Sequence, residues 1–292
     1  MKKIKSGIYG LNPLLDGGIN ENSTTVVIGA SGAGKTTFAT QFIRRGLESG
    51  QEGIFVSLDE NKDEIIREAI EMGWREILDY LDNEKLVFID ASGKEFSSFI
   101  RKELPSFVAD WGGADARISI DPLTPVMWSV KDQYERRDLI GFLLKQARRV
   151  GTVLCTLEEH GSSGDLSGPE TIIPMYLADC VVHLRYRPID GAVSRTLKIV
   201  KCRSSRHSDQ THQYSIIRGL GLIVERGNYK RSDAKKIASK LREDVKRVAR
   251  DKLPPHVRSR LSRALKELTD DDFKGIEASE ILEDIIEEYE NG

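Results

Sequence analysis

The sequence predicts a three-layer α/β fold: a mostly parallel sheet between helices, closed by antiparallel hairpins at its C-terminal edge and followed by a small helical extension. Three observations predict it. Up to residue 229, short β-branched runs alternate with amphipathic stretches, as strands joined by crossover helices do. Between residues 180 and 225, strand-like runs follow one another through short polar turns, the pattern of hairpins. Beyond Asn228, apolar residues recur at helical spacing and the strand pattern stops.

The elements follow in chain order. Thr24 to Ile28 is a β-branched run ending on Gly29, and a helical pattern starts at Thr36. Further strands are expected at Ile54 to Leu58, Leu86 to Asp90, Arg117 to Asp121 and Thr152 to Leu157. Amphipathic segments at Glu64 to Met72, Phe96 to Val108 and Tyr134 to Val150 lie between them. Cys180 to Tyr186, Arg195 to Cys202 and Gln213 to Glu225 read as antiparallel strands, the first two joined at Pro188-Ile189-Asp190-Gly191. Three amphipathic helices then follow on Ile237, Leu241, Val245 and Val248, on Val257, Leu261, Leu265 and Leu268, and on Ile281, Leu282, Ile285, Ile286 and Tyr289, with Pro254-Pro255 parting the first two.

A chain of 292 residues holds one large core and an annex, because single cores stop growing near roughly 250 to 300 residues. The expected division is an α/β domain over residues 1–229 and a helical extension over 230–292, packed on the core or on a neighbour. At 39% hydrophobic and 31% charged residues the composition is that of a globular chain. No apolar run approaches the roughly 20 residues of a spanning helix and no signal-peptide core follows the first lysines, so a cytoplasmic protein without membrane contact is expected. Cys155, Cys180 and Cys202 are spaced too widely for a metal motif and are expected as core thiols. The net charge of −2 hides an asymmetry: residues 230–266 carry fourteen Lys or Arg against four acids, and 267–292 carry one Lys against eleven acids.

The chemistry starts at Gly29-Ala30-Ser31-Gly32-Ala33-Gly34-Lys35-Thr36, which fits the eight-residue phosphate-binding pattern between a strand and a helix. Its glycines let the backbone turn successive amide hydrogens toward phosphates, and the helix start adds its positive dipole end. Lys35 is expected to reach the β and γ phosphates of ATP and Thr36 to ligate magnesium, with Thr37 beside them. The metal needs an acid at the end of a neighbouring strand. Asp121, ending an alternating strand before Pro122, is preferred; Asp90, ending Leu86 to Ile89, competes. Hydrolysis also needs a group that orients and deprotonates water. Asp59-Glu60 follow a strand at the edge where ligands sit in parallel sheets, although Asp59 or Asn61 could instead cap the next helix. The basic stretch with Arg203, Arg206 and His207 could bind a phosphodiester or be a solvated edge.

Taken together, these motifs resemble the KaiC-type ATPases of the RecA superfamily in a single-domain form, over about Gly7 to Val224. Gly7 to Asn12 with Leu15 to Ile19 is similar to that family's segment before the P-loop. Phe55 to Glu60 with the helix up to Gly73-Trp74 resembles its paired-glutamate segment, and Arg117 to Asp121 its metal-binding strand. Lys201-Cys202-Arg203-Ser204-Ser205-Arg206-His207 resembles its Lys-x-Arg-x-x-x-His signature. The resemblance implies a RecA-like fold and a homo-oligomeric ring, a hexamer, hydrolysing ATP with magnesium between subunits. Lys201 and Arg203 then reach the neighbour's γ-phosphate, and Ser205 and His207 contact its nucleotide. Two departures stand out. The usual Glu-Glu pair is Asp59-Glu60, which favours Glu60 as the catalytic carboxylate with Asp59 as helper. Where clock-type members carry a phosphorylated Ser-Thr pair, this chain has Met175-Tyr176, which argues against autophosphorylation. The expected function is a ring ATPase that couples nucleotide state to a partner protein. The alternative is a recombinase-like DNA-binding ATPase, disfavoured because residues 158–174 hold Glu158, Glu159, Asp165 and Glu170 without Lys or Arg.

Overall fold

The structure, a computed structural model, describes all residues except 112–114, 160–165, 190–191, 226–236, 274–275, 277 and 291–292. The chain opens on β1 (Lys3–Ile4), α1 (Leu11–Leu14) and β2 (Ile19–Asn20), with β1 and β2 paired antiparallel. The α/β core follows as β3 (Thr24–Gly29), α2 (Lys35–Glu48), β4 (Glu52–Ser57), α3 (Lys62–Glu71), α4 (Glu76–Asp82), β5 (Leu86–Asp90), α5 (Gly93–Lys102), α6 (Leu104–Asp110) and β6 (Ala116–Asp121). It continues through α7 (Thr124–Ser129), α8 (Gln133–Ala147), β7 (Gly151–Glu158), α9 (Pro169–Leu177), β8 (Cys180–Ile189), β9 (Ala192–Cys202), β10 (Thr211–Ile217) and β11 (Gly221–Val224). Three helices complete the chain: α10 (Ile237–Lys252), α11 (Pro255–Glu267) and α12 (Ala278–Tyr289).

Among the described residues, nine strands form one sheet in the order β11-β10-β9-β8-β3-β7-β6-β4-β5. The strands from β8 through β5 in this order are parallel, and β9, β10 and β11 continue antiparallel. The expected mixed sheet is therefore present. β3 lies in its middle, between β7 and β8, and is buried along its whole length. That explains a β-branched run without polar alternation. Its side chains still alternate between layers: Val26 and Ile28 face Phe96, Ile100, Ile140 and Leu143, whereas Val27 faces Phe38, Phe42, Ile65 and Trp74.

Some expected elements are divided or joined by others. Phe96 to Val108 is two helices, α5 and α6, because Pro105 at the start of α6 cannot continue a helix. Gln213 to Glu225 contains two paired strands, turning at residues 218–220. Helices α1, α4, α7 and α9 carry too few turns for a periodic signal. The turn at 190–191, the division at residue 229 and the centre of the 158–174 loop lie outside the described residues.

The C-terminal helices form a third apolar cluster. Ile237, Leu241, Val245, Val257, Leu261, Leu265, Phe273, Ile281 and Ile285 pack with Tyr9, Ile217, Leu220 and Ile223 of the core. The expected packing on the core is thus found, and charge completes it. Arg260 of α11 pairs with Glu48 of α2 and with Glu76 of α4, the latter at 3.4 Å, and donates to the hydroxyls of Tyr9 and Tyr289. The acids of α12 do not simply neutralise the basic helices: Glu287 pairs with Lys5, and buried Glu288 pairs with Arg45 of α2 at 3.2 Å. Glu288 also accepts from the Gly7 amide at 2.9 Å and from Asn12. No helix among the described residues is long and apolar enough to cross a membrane.

Candidate functional site

The loop between β3 and α2 wraps at the C-terminal edge of the sheet. Gly32 and Gly34 have φ of +77° and +91°, a region that side chains with a Cβ rarely enter. At Gly34 a Cβ would also stand 2.5 Å from Ile216 of β10. The neighbouring hairpin holds the loop from beneath, because the Tyr214 hydroxyl donates to the Ala33 carbonyl at 2.6 Å. Lys35 begins α2 and lies across the loop, its ammonium 3.2 Å from the Ala30 carbonyl.

A cleft of ≈ 350 Å³ opens over this loop. It is lined by Ser31, Gly32, Gly34, Lys35, Thr36 and Thr37, and by Asp59, Glu60, Glu68, Asp121 and Glu158 from the strand ends and α3. The sheet order explains the convergence: β3, β7, β6 and β4 are consecutive and parallel, so their C-terminal ends deliver the P-loop, Glu158, Asp121 and Asp59-Glu60 to one edge. Asp90 ends β5, one strand further out, and is exposed. Asp121 is buried, accepts hydrogen bonds from Thr156 and Thr36, and precedes a cis peptide bond to Pro122.

Asn61, not Asp59, caps α3. Its side chain accepts from the Glu64 amide at 3.0 Å, and the Glu64 carboxylate returns to the Asn61 amide. Asp59 and Glu60 are thereby left to the cleft. The Ser57 hydroxyl holds the Glu60 carbonyl, whereas Oε2 of Glu60 is buried without a hydrogen-bond partner among the described residues. Desolvation, with Glu68, Asp121 and Asp59 nearby, pushes the Glu60 carboxyl up to about 7. Burial likewise raises Asp121 and Glu68 and lowers Lys35, although the surrounding carboxylates oppose the shift of Lys35.

These shifts have one cause. Several carboxylates share a partly desolvated pocket that holds too little positive charge. A hydroxyl hydrogen-bonded to a buried carboxylate beside a P-loop is an oxygen donor set of the kind magnesium takes, completed by water and phosphate oxygens. Thr36 and Asp121 therefore fit such an ion. Sequence reasoning missed Glu68, Glu158 and Ile216 as lining residues. Glu158 ends a strand just as Asp121 does and so carried a usable signal, whereas Glu68, one helical turn after Glu64 on α3, did not stand apart from the other acids of that helix.

Lys201, Arg203, Ser205 and His207 stand elsewhere. Cys202 pairs with Cys180, and Cys180 with Thr25, so the end of β9 lies at the edge of the sheet opposite the P-loop. Four residue steps along β3 lead from Thr25 to Gly29, about 13 Å at roughly 3.3 Å per residue, before the two-strand lateral step is added. Lys201 donates to the carbonyls of Met175 and Tyr176 at 2.6 and 3.4 Å, and Arg203 to that of Tyr176 at 2.8 Å. Ser205 is bonded to Leu15, and Nδ1 of His207 lies 3.0 Å from the Ser208 carbonyl. None of the four lines the cleft of its own chain.

A family model described as "ATPase: KaiC" matches residues 4–228. The circadian clock protein KaiC2 of Synechocystis sp. is 28% identical over 224 residues, covering 73% of this chain and 38% of that protein. The circadian clock oscillator protein KaiC of Thermostichus vulcanus is 31% identical over 242 residues, covering 76% and 44%. A UPF0273 protein of Methanopyrus kandleri is 28% identical over 239 residues, covering 74% and 89%. The crystal structure of a KaiC-like protein from the hyperthermophilic archaeon Pyrococcus horikoshii matches with a TM-score of 0.64 and 28% identity, covering 77% of this chain and 99% of that one. The chain thus spans less than half the length of these two clock proteins and most of the length of the other two.

Proposed function

Because this chain belongs to the KaiC ATPase family, we propose that it binds ATP with magnesium at the P-loop and hydrolyses it where two copies meet, the second copy supplying Lys201 and Arg203. Lys35 and the amides of residues 29–36 hold the phosphates. Thr36 and Asp121 hold magnesium, whose charge offsets both the acidic cleft and the transferring phosphoryl group. Glu60, assisted by Asp59, orients the attacking water and takes its proton. Lys201 and Arg203 then stabilise charge building on the neighbour's γ-phosphate, with Ser205 and His207 on its nucleotide.

The observation that carries this reading is the separation of the two halves of the site onto opposite edges of one sheet. No side-chain rotation moves a cation from the foot of β3 to the loop at its head. A head-to-tail arrangement joins the edges, and such an interface closes into a ring when its rotation permits, a hexamer in this reading. Residues 1–229 are the ATPase and 230–292 an adaptor through which nucleotide state reaches a partner protein in the cytoplasm. The lack of any Lys or Arg in residues 158–174 favours this over a DNA-binding recombinase, whose loop needs cations for the phosphates.

Mixing tests it. Arg203→Ala and Glu60→Gln should each lose hydrolysis alone. Combined, with subunit exchange verified by a labelled tag, they should recover part of the rate, because some interfaces unite an intact Glu60 with an intact Arg203. Exchange without any recovery would rule the trans site out.

A further inference from the structure

Cys180 and Cys202 take no part in the nucleotide site. Cys180 opens β8 and Cys202 ends β9, directly opposed across the antiparallel ladder. The next pair outward is tied by the Arg203 amide donating to the Asp179 carbonyl at 2.7 Å. Hydrogen-bonded and non-hydrogen-bonded pairs alternate along such a ladder, so Cys180 and Cys202 occupy a non-hydrogen-bonded position. There the Cα atoms stand about 4.5 Å apart and the side chains share a face. A disulfide spans about 4.4 to 6.8 Å between Cα atoms. Both side chains meet the same apolar cluster beneath α2, and both are free thiols.

Their surroundings set the two sulfurs apart. Cys180 is 3% exposed, whereas Cys202 is partly open to solvent. The Cys180 thiol donates to the Cys202 sulfur, and this, with the Lys3 ammonium and the Ser205 hydroxyl beside it, holds Cys202 below the usual thiol range. The same bond, and then burial, push Cys180 up. Lys3 is fixed in place by the carbonyls of Leu15 and Gly18, at 2.9 and 3.1 Å, and by Ser205 at 2.5 Å. The His207 imidazole and the Asp179 carboxylate also stand near the pair. Cys155 offers the contrast, because desolvation alone pushes its thiol up to about 12.

We propose that Cys202 and Cys180 form a reversible redox site, closed by a peroxide into an intrachain disulfide at the root of Lys201 and Arg203. The Cys202 thiolate attacks one peroxide oxygen, the O–O bond breaks, and Cys202 becomes a sulfenic acid while hydroxide leaves. The Cys180 sulfur gives up its proton and attacks the sulfenic sulfur, forming the S–S bond and expelling a second hydroxide. With the two thiol protons these hydroxides become two waters. The thiols lose two electrons and the peroxide gains them. A dithiol reductant reopens the bond by exchange.

The full-length protein treated with equimolar hydrogen peroxide provides the test, read by intact mass and by peptide mapping without reductant. The expected product has lost two hydrogens and yields one cross-linked pair of peptides, carrying Cys180 and Cys202. Dithiothreitol should restore the original mass, and Cys155 should remain alkylatable after unfolding. In Cys180→Ser, oxidation should stop at a sulfenic acid on Cys202 that dimedone captures. Oxidation of Cys155 as fast as Cys202 overturns the proposal, as does conversion of Cys202 to its higher acids with Cys180 still reduced. Mass reports the bond without reference to ATP turnover, so the outcome is independent of the functional reading above.

Discussion

A carboxyl raised to about 7 alters what hydrolysis should look like across the pH range. A general base works only when ionised, and at pH 6 about a tenth of such a group is. The hydrolysis rate should therefore climb from pH 6 and level off above about pH 8. In the proposed reading, magnesium beside Asp121 would favour the ionised form and move the midpoint down when nucleotide is bound. Glu60→Gln should bind ATP, lose about 10²- to 10⁴-fold in rate and lose this pH dependence, with Asp59→Asn costing less. Single-turnover rates at several pH values decide the matter; a wild-type slope retained in Glu60→Gln assigns the base elsewhere. Lys35→Ala should abolish ATP binding by calorimetry yet keep its thermal midpoint within a few degrees, since burial penalises this cation in the fold and the proposed reading assigns it to the phosphates. At this scale the P-loop was legible because its eight residues are contiguous. Asp121 could be ranked above Asp90 from sequence, but its burial against Thr156 and Thr36 required the sheet order. Glu68 stayed hidden because an acid on the polar face of α3 also reads as a solvated residue.

Among the elements, the central strands were the most legible, because burial on both faces of the sheet demands β-branched runs that few other environments favour. Short helices were not, since α7 and α9 contain prolines that mask a helical pattern. The basic and acidic helices were legible from their charge and apolar spacing. Spacing and charge could not reveal that Glu288 is buried against Arg45 on the P-loop helix, a partner 243 positions away. Burial pushes the Glu288 carboxyl up to about 7 against the pull of Arg45, Asn12 and the Gly7 amide. Truncation would leave Arg45 buried without its carboxylate. Glu288→Ala should accordingly destabilise the protein by about 3 to 5 kcal/mol, read by urea unfolding; a loss under about 1 kcal/mol would reduce α12 to a loose appendage.

On the whole molecule, the route taken by α12 leaves Lys240, Lys246, Arg247, Lys252, Arg263 and Lys266 exposed. Such a face should attract a short DNA duplex weakly, with affinity falling about 10³- to 10⁵-fold between 50 and 200 mM salt if six to ten phosphates are engaged. Lys240→Glu with Lys246→Glu should remove that binding and leave ATP turnover unchanged. Fluorescence anisotropy at two salt concentrations checks both, and tight binding that survives 200 mM salt would favour the recombinase-like alternative. One contact has a bearing on how the molecule is made. The Gly7 amide and Asn12 are held by Glu288, and Lys5 by Glu287. Synthesis runs from the N-terminus, so the segment that leads into the P-loop emerges well before α12 and waits for it until its last ligand arrives. Until α12 has cleared the ribosome, Arg45 and the Gly7 amide lack their native partner. A nascent chain halted before residue 278 would carry a complete P-loop motif on an unfinished footing.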